Sequence, residues 1–110
     1  MKKSRLGEFQ ELILMAIIVL KEEAYGNSIQ HELETRLEET VSIGAIQTAL
    51  KRMEANGYVT SVWGEASNVR GGKRKRMYEA TPYAVQLLKE MQDVRFKFWQ
   101  AMPAAIKGTA

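Results

Sequence analysis

The chain has 110 residues, with 16 lysines and arginines against 13 aspartates and glutamates, one histidine and no cysteine. This length predicts one domain with a real core, small enough that a second subunit would help to stabilise it. The lack of cysteine excludes disulfides and thiolate metal sites and is typical of a reducing cytoplasm, so we expect a cytoplasmic protein without a cofactor. The net charge is too small to indicate nucleic acid by itself, so the position of the cations matters more.

The N-terminal part has a short basic arm, residues 1–5, and then nine consecutive apolar residues from Leu12 to Leu20. This run is too short to span a bilayer, which needs roughly 20 residues. A signal peptide is the alternative, but Glu8 and Glu11 interrupt the approach and no small-residue cleavage pattern follows. A helix that is apolar on all sides is a buried helix. We therefore expect this helix to pack against more than one partner element.

A second helix is predicted from about Ser28 to Leu37, where Ile29, Leu33 and Leu37 are spaced four residues apart. His31 falls on its polar side, and without a second histidine or any cysteine it has no metal-binding role. Residues 38–41 then make a short turn to the next helix. Two helices joined in this way are typical of helix-turn-helix proteins.

The segment from Ser42 to Glu54 carries apolar side chains at 43, 46, 50 and 53, which predicts a one-sided helix. The helix ends at Asn56-Gly57, because glycine adopts the left-handed cap conformation at no steric cost. Its other face carries short hydrogen-bonding groups followed by cations, which suit base edges and phosphates. These residues are Ser42, Gln47, Thr48, Lys51 and Arg52.

Two β-rich stretches, Tyr58–Trp63 and Lys73–Ala80, flank a polar glycine-rich loop and predict a hairpin. Five of the seven residues from 70 to 76 are basic and the other two are glycine. A basic run of this kind is often only a solvated surface. Its position one hairpin after a helix with a polar face favours a DNA-binding wing.

Thr81-Pro82 starts the last helix, because threonine caps the free amides and proline is tolerated at the first helical position. The helix is predicted to run to about Met102 and to stop at Pro103. Its apolar stripe exceeds what so small a core needs, which favours dimerisation, with plain intrachain core as the alternative. The stripe comprises Ala84, Leu87, Leu88, Met91, Val94, Phe98 and Met102.

Several short motifs follow one another in a specific order: Leu6-Gly7-Glu8, Ala24-Tyr25-Gly26, Ser42-Ile43-Gly44-Ala45-Ile46, Leu50-Lys51-Arg52-Met53-Glu54, Gly57-Tyr58-Val59, Trp63-Gly64-Glu65, Arg70-Gly71-Gly72-Lys73-Arg74, and Tyr78 with Thr81-Pro82. Over roughly residues 6–102 this order resembles the PadR family of bacterial transcriptional regulators, in the smaller of its two size classes. The resemblance implies a mainly α fold with a small β-hairpin: a winged helix-turn-helix DNA-binding domain over 1–80, a dimerisation helix over 81–103 and a tail over 104–110. It further implies a homodimer formed through the first and last helices that represses by binding inverted-repeat promoter DNA.

The resemblance also implies which residues contact DNA. Those of the recognition helix are Ser42, Gln47, Thr48 and Lys51, and those of the wing are Arg70, Lys73, Arg74 and Lys75. Many members carry tyrosine where this chain has Gln47, so its operator is expected to differ from theirs. Glutamine can bond a phosphate, or read adenine through N6 and N7.

The aromatics Phe96, Phe98 and Trp99 cannot all face one way on a helix. In some small relatives an aromatic residue at a similar place lines a hydrophobic channel between the subunits. This makes Trp99 and Phe96, across from Ile13 and Ile17, candidates for binding a hydrophobic or aromatic effector. The alternative is that they are ordinary aromatics of a dimer core.

Two other function classes compete with a DNA-binding regulator. An enzyme is not expected, because the chain has one histidine, no cysteine, no Gly-x-Ser-x-Gly pattern and no phosphate-binding loop around Arg70-Gly71-Gly72-Lys73. A winged-helix adaptor that binds a protein instead of an operator stays open, because the fold alone does not exclude it.

Overall fold

The computed structural model describes residues 6–64 and 74–108. Within them the chain forms a helix-turn-helix, a β-hairpin and a long final helix, which is the predicted winged helix-turn-helix arrangement. The elements in order are α1 (Glu8–Leu20), α2 (Gly26–Leu37), α3 (Ile43–Ala55), β1 (Val59–Trp63), β2 (Arg76–Ala80) and α4 (Pro82–Ala101), with a single 3-10 turn (Lys21–Glu23) after α1.

The core lies where α1, α2 and α3 pack together over one end of the hairpin. Its largest fully buried side chains are Ile13, Leu14, Ile17, Ile29, Ile46, Leu50, Met53 and Val59. The prediction that α1 is buried is only partly right, because Ile18 and Val19 are 41% and 50% exposed. One side of α1 therefore has none of the described elements of the chain packed closely over it.

Local hydrogen bonds explain where the helices begin. The Ser42 hydroxyl oxygen accepts the Ala45 amide at 3.2 Å, and the Thr81 hydroxyl oxygen accepts the Ala84 amide at 3.1 Å, so α3 and α4 begin as predicted. α2 begins two residues before the predicted Ser28, because the Tyr25 amide donates to the Ser28 hydroxyl at 2.9 Å and so makes Tyr25 the cap.

The hairpin is antiparallel, with Val59 opposite Ala80 and Trp63 opposite Arg76. Both strands are shorter than predicted, because β1 begins at Val59 instead of Tyr58 and β2 begins at Arg76 instead of Lys73. Strand-like pairing extends by one bond, from the Gly64 amide to the Lys75 carbonyl at 2.6 Å. Of the described cations, Arg76 thus ends the ladder, and Arg74 and Lys75 lie directly beyond it.

α4 contacts the rest of the chain mainly through its first half. Ala84 is buried, and Leu87, Leu88 and Met91 pack partly buried against the core. The second half is open, with Val94 51% and Phe98 67% exposed. Among the described helices, α4 included, none is both long and apolar enough to cross a membrane.

Candidate nucleic-acid interface

The two faces of α3 separate as the sequence predicts. Ile46, Leu50 and Met53 are buried in the core, while Gln47, Thr48, Lys51 and Arg52 are exposed, as is the cap residue Ser42. The exposed face therefore offers an amide, two hydroxyls and two cations from one rigid helix.

A groove of about 630 Å³ runs between α3 and the base of the wing. Four of the predicted DNA-contacting residues line it: Gln47 and Lys51 from α3, and Arg74 and Lys75 from the hairpin. The start of α2 closes the groove with Tyr25 and Asn27. Ser42 and Thr48 lie outside this lining, and Arg70 and Lys73 lie outside the described residues. The structure thus brings helix and wing candidates to one surface.

The wing candidates Arg74 and Lys75 are held in place at the base of the wing, where the loop leaves the two strands. The Arg74 Nε donates to the Gly64 carbonyl at 2.8 Å, which joins the two sides of the hairpin beyond the ladder. The Lys75 Nζ lies 4.1 Å from the centre of the Tyr25 ring, a cation–π contact to the start of α2. Both side chains remain exposed, so their charge faces solvent while their position is restricted.

A second set of contacts, which sequence reasoning missed, ties α3 to both strands of the hairpin. One Glu54 carboxylate oxygen accepts the Ser61 hydroxyl at 2.7 Å, and the other lies 3.7 Å from an Arg76 Nη atom. Arg76 also donates through Nε to the Ser61 hydroxyl at 2.9 Å and covers the Trp63 ring at 5.2 Å. These groups are half exposed, so their main effect is on the angle of the wing and not on stability. No sequence spacing connects Glu54, Ser61 and Arg76, since they belong to three different elements, α3, β1 and β2.

Beside these contacts, burial raises the pKa of the Tyr78 phenol above its ordinary value, with Arg76 acting in the opposite direction. A phenol with a raised pKa is neutral at physiological pH, as an ordinary tyrosine is.

The effector candidates do not come together in the single chain. Phe96 and Trp99 are 57% and 49% exposed on α4, whereas Ile13 and Ile17 are fully buried in the core. The two isoleucines are therefore part of the core of the single chain, and their place across from an effector stays a prediction. The open side of α1 carries Ile18 and Val19 instead.

Comparison with known families and structures agrees with this geometry. The model of the transcriptional regulator PadR-like family matches residues 13–99. A transcriptional regulator from Clostridium thermocellum is 22% identical, with 84% of each chain covered and a TM-score of 0.63. A PadR-like transcriptional regulator from Bacillus cereus is 23% identical, with 86% of this chain and 93% of that one covered and a TM-score of 0.61.

RosR from H. salinarum is 26% identical, with 89% of this chain and 81% of that one covered and a TM-score of 0.66. No curated protein sequence matches the chain significantly.

Proposed function

Because the chain belongs to the PadR-like family of transcriptional regulators, we propose that it is a homodimeric repressor that binds an inverted-repeat site in promoter DNA. The description of that family as transcriptional regulators supports a regulator over an enzyme. The observation that carries the proposal is the groove in which Gln47 and Lys51 of α3 meet Arg74 and Lys75 of the wing. Helix and wing there present donors and cations to a single duplex.

The roles of the residues follow from their chemistry. Lys51, Arg74 and Lys75 are exposed cations that position the protein on phosphates, a contact without sequence preference. Gln47 has a donor and an acceptor on one amide, which match adenine N6 and N7 in the major groove. Ser42 and Thr48 supply hydroxyl groups to phosphate or base edges. The wing residues Arg70 and Lys73 add to the phosphate contacts in this proposal.

The dimer in this proposal forms through α4. Val94, Phe98 and Met102 continue the same helical face as Leu87 and Met91, but they are 51%, 67% and 37% exposed in the single chain. A second copy would bury this stripe, which a soluble monomer rarely leaves open. A two-fold axis then places the two recognition helices about 34 Å, or roughly 10 base pairs, apart on one side of B-DNA.

The proposal is tested by selecting duplexes from a random DNA pool with the purified protein at about 150 mM salt, where nonspecific phosphate binding is already weak. We expect an inverted repeat with half-sites about one helical turn apart to be enriched. Gln47→Ala should then lower discrimination at one base position of each half-site by about tenfold, within the range for one bidentate contact. Gln100→Ala, which removes an exposed glutamine from the far end of α4, is the matched control and should leave the selected site unchanged.

A selection without an enriched sequence would contradict the proposal. If a folded, dimeric protein enriches no sequence, operator binding fails and the winged-helix adaptor becomes the better hypothesis. An adaptor would also lack the steep salt dependence of a DNA-binding protein.

We further propose that a hydrophobic or aromatic compound releases the repressor by binding next to Trp99 and Phe96. Both rings are about half exposed in the single chain and so are available to a flat ligand or to a second copy. A ligand stacked on Trp99 should quench its emission.

This is measured with a panel of planar aromatic compounds in a Trp63→Phe background, so that Trp99 is the only remaining tryptophan. We expect saturable quenching together with weaker operator binding, and both effects should vanish in Trp99→Ala. Absence of quenching across the panel would leave Trp99 as a packing residue only.

A further inference from the structure

α4 carries the proposed dimer contact, so its direction from the DNA-binding domain fixes the distance between the two recognition helices. Its first anchor is at its start. The Thr81 hydroxyl donates to the Gly57 carbonyl at 2.7 Å, and the Tyr83 ring stacks on Tyr58 with ring centres 5.8 Å apart. Leu87, Leu88 and Met91 then pack against the core, whereas Val94 and Phe98 beyond them are exposed. A helix held only in its first half can swing at its far half, which around residue 95 lies about 20 Å from Thr81 at 1.5 Å per residue.

The second anchor is a buried carboxylate on α1. Glu11 is 2% exposed, the only buried charged residue in the described part of the chain. The Gln92 Nε2 donates to its Oε2 atom at 2.9 Å, and the Arg95 guanidinium donates to the same oxygen and forms an ion pair with it. This hydrogen bond raises the pKa of the Arg95 guanidinium above its ordinary value, so the arginine stays charged.

We propose that Glu11, Gln92 and Arg95 form a positioning contact that sets the angle of α4 on the DNA-binding domain, and with it the half-site spacing that the dimer accepts. This inference rests on the proposed operator-binding dimer. Burying a carboxylate is unfavourable before it is paired, and apolar side chains often fill such a place equally well. The polar contact adds a fixed orientation of α4 on α1, because two donors on α4 must meet one oxygen on α1.

The location of the contact agrees with this role. Arg95 also borders a groove that passes along α1 to Ser42 and Ala45, at the start of the recognition helix. α1 itself packs on α2 and α3, and its Ile13 and Ile17 belong to the shared core. A change in the angle of α4 at Arg95 therefore turns α4 relative to the packed helices α1, α2 and α3.

The test replaces both charges at once. In Glu11→Met/Arg95→Met the net charge is unchanged, helix propensity stays high and the site becomes apolar, which usually preserves folding. The control Asp93→Met/Lys97→Met removes the exposed ion pair between those two residues, 3.1 Å apart on the same helix, also without changing net charge. Each protein is titrated with duplexes that carry the selected half-sites at the best spacing and at one or two base pairs more or less.

We expect the wild type and the control variant to prefer one spacing, and the Glu11→Met/Arg95→Met variant to lose about tenfold of that preference, a usual size for coupling between two sites. Its salt slope should not change, because no phosphate contact was removed. An unchanged spacing preference in this variant overturns the proposal. If the double variant does not fold, Glu11→Gln replaces it, because glutamine keeps the shape of the Glu11 side chain and one acceptor oxygen. A smaller loss of the spacing preference is then expected.

A measurement without DNA separates this inference from the proposed function. The chain has no cysteine, so Thr35→Cys on α2 accepts one spin label per subunit, and pulsed electron resonance reports the distance between the two labels. We expect one narrow distance in the wild-type background and a broad distribution in the Glu11→Met/Arg95→Met variant. An equally narrow distribution in both overturns the positioning role, whereas no measurable distance in either contradicts the dimer itself.

Discussion

Replacing Phe98 with glutamate is expected to yield a folded monomer that binds its operator at least about a hundredfold more weakly, because a dimer gains the second half-site at high effective concentration. Phe98 is 67% exposed in the single chain and lies on the same face as Met91 and Met102. A carboxylate there would have to be buried without a partner on dimerisation, which costs several kcal/mol. The core of the single chain does not include this side chain, so the fold should persist.

Phe96→Glu is the matched control. Phe96 has the same side chain and similar exposure, at 57%, but is two residues away and so points to nearly the opposite side of the helix. Both variants bring the same new charge to the same end of the helix. Sedimentation and operator titration should show a monomer with weak binding for Phe98→Glu and an unchanged dimer for Phe96→Glu. A dimer that persists in Phe98→Glu would place the interface elsewhere.

The helices could be predicted closely because their signals are local. Ser42 and Thr81 cap the helices that follow them, and the spacing of Ile46, Leu50 and Met53 fixes which face of α3 enters the core. Each signal lies within one or two turns of the helix that it defines. The polar face of α3, and hence the candidate residues Gln47 and Lys51, followed from the same pattern.

The contacts between elements could not be predicted, because they join residues far apart in the sequence. Glu11 meets Gln92 and Arg95, which are 81 and 84 residues away. In the sequence Glu11 only preceded an apolar run, and nothing local indicated that it would be buried. The sequence likewise did not indicate that Ile13 and Ile17 are buried, since an all-apolar helix does not show which side stays open.

The wing was predicted in position but not in its internal contacts. Glycines and cations indicate a basic loop, whereas the bond from Arg74 to the Gly64 carbonyl depends on how the strands twist. The contact of Lys75 with Tyr25 likewise depends on how the hairpin sits on α2. These two residues therefore have two roles to be separated, in phosphate binding and in holding the wing.

Replacing Lys73, Arg74 and Lys75 with alanine is expected to weaken binding to every duplex and to flatten its salt dependence. A dimer that neutralises about eight phosphates should lose a thousandfold or more in affinity between 50 and 200 mM salt. Removing three cations from each of two subunits should lower the slope of log K against log salt by up to about five, at about 0.9 per phosphate. The control replaces Lys89, Lys97 and Lys107 with alanine, which removes the same charge from α4 and the segment after it, and should leave the slope nearly unchanged.

The slope also separates the two roles of the wing base. If Arg74 and Lys75 act on phosphates, affinity and slope fall together, because fewer counterions are released on binding. If they act only by fixing the wing against Gly64 and Tyr25, affinity falls while the remaining contacts keep the slope. In that case Arg74→Lys should also fail to restore binding, since a lysine lacks the planar guanidinium whose Nε meets the Gly64 carbonyl. An unchanged slope in the triple variant would therefore remove the wing cations from phosphate recognition and leave the polar face of α3 as the main contact with DNA.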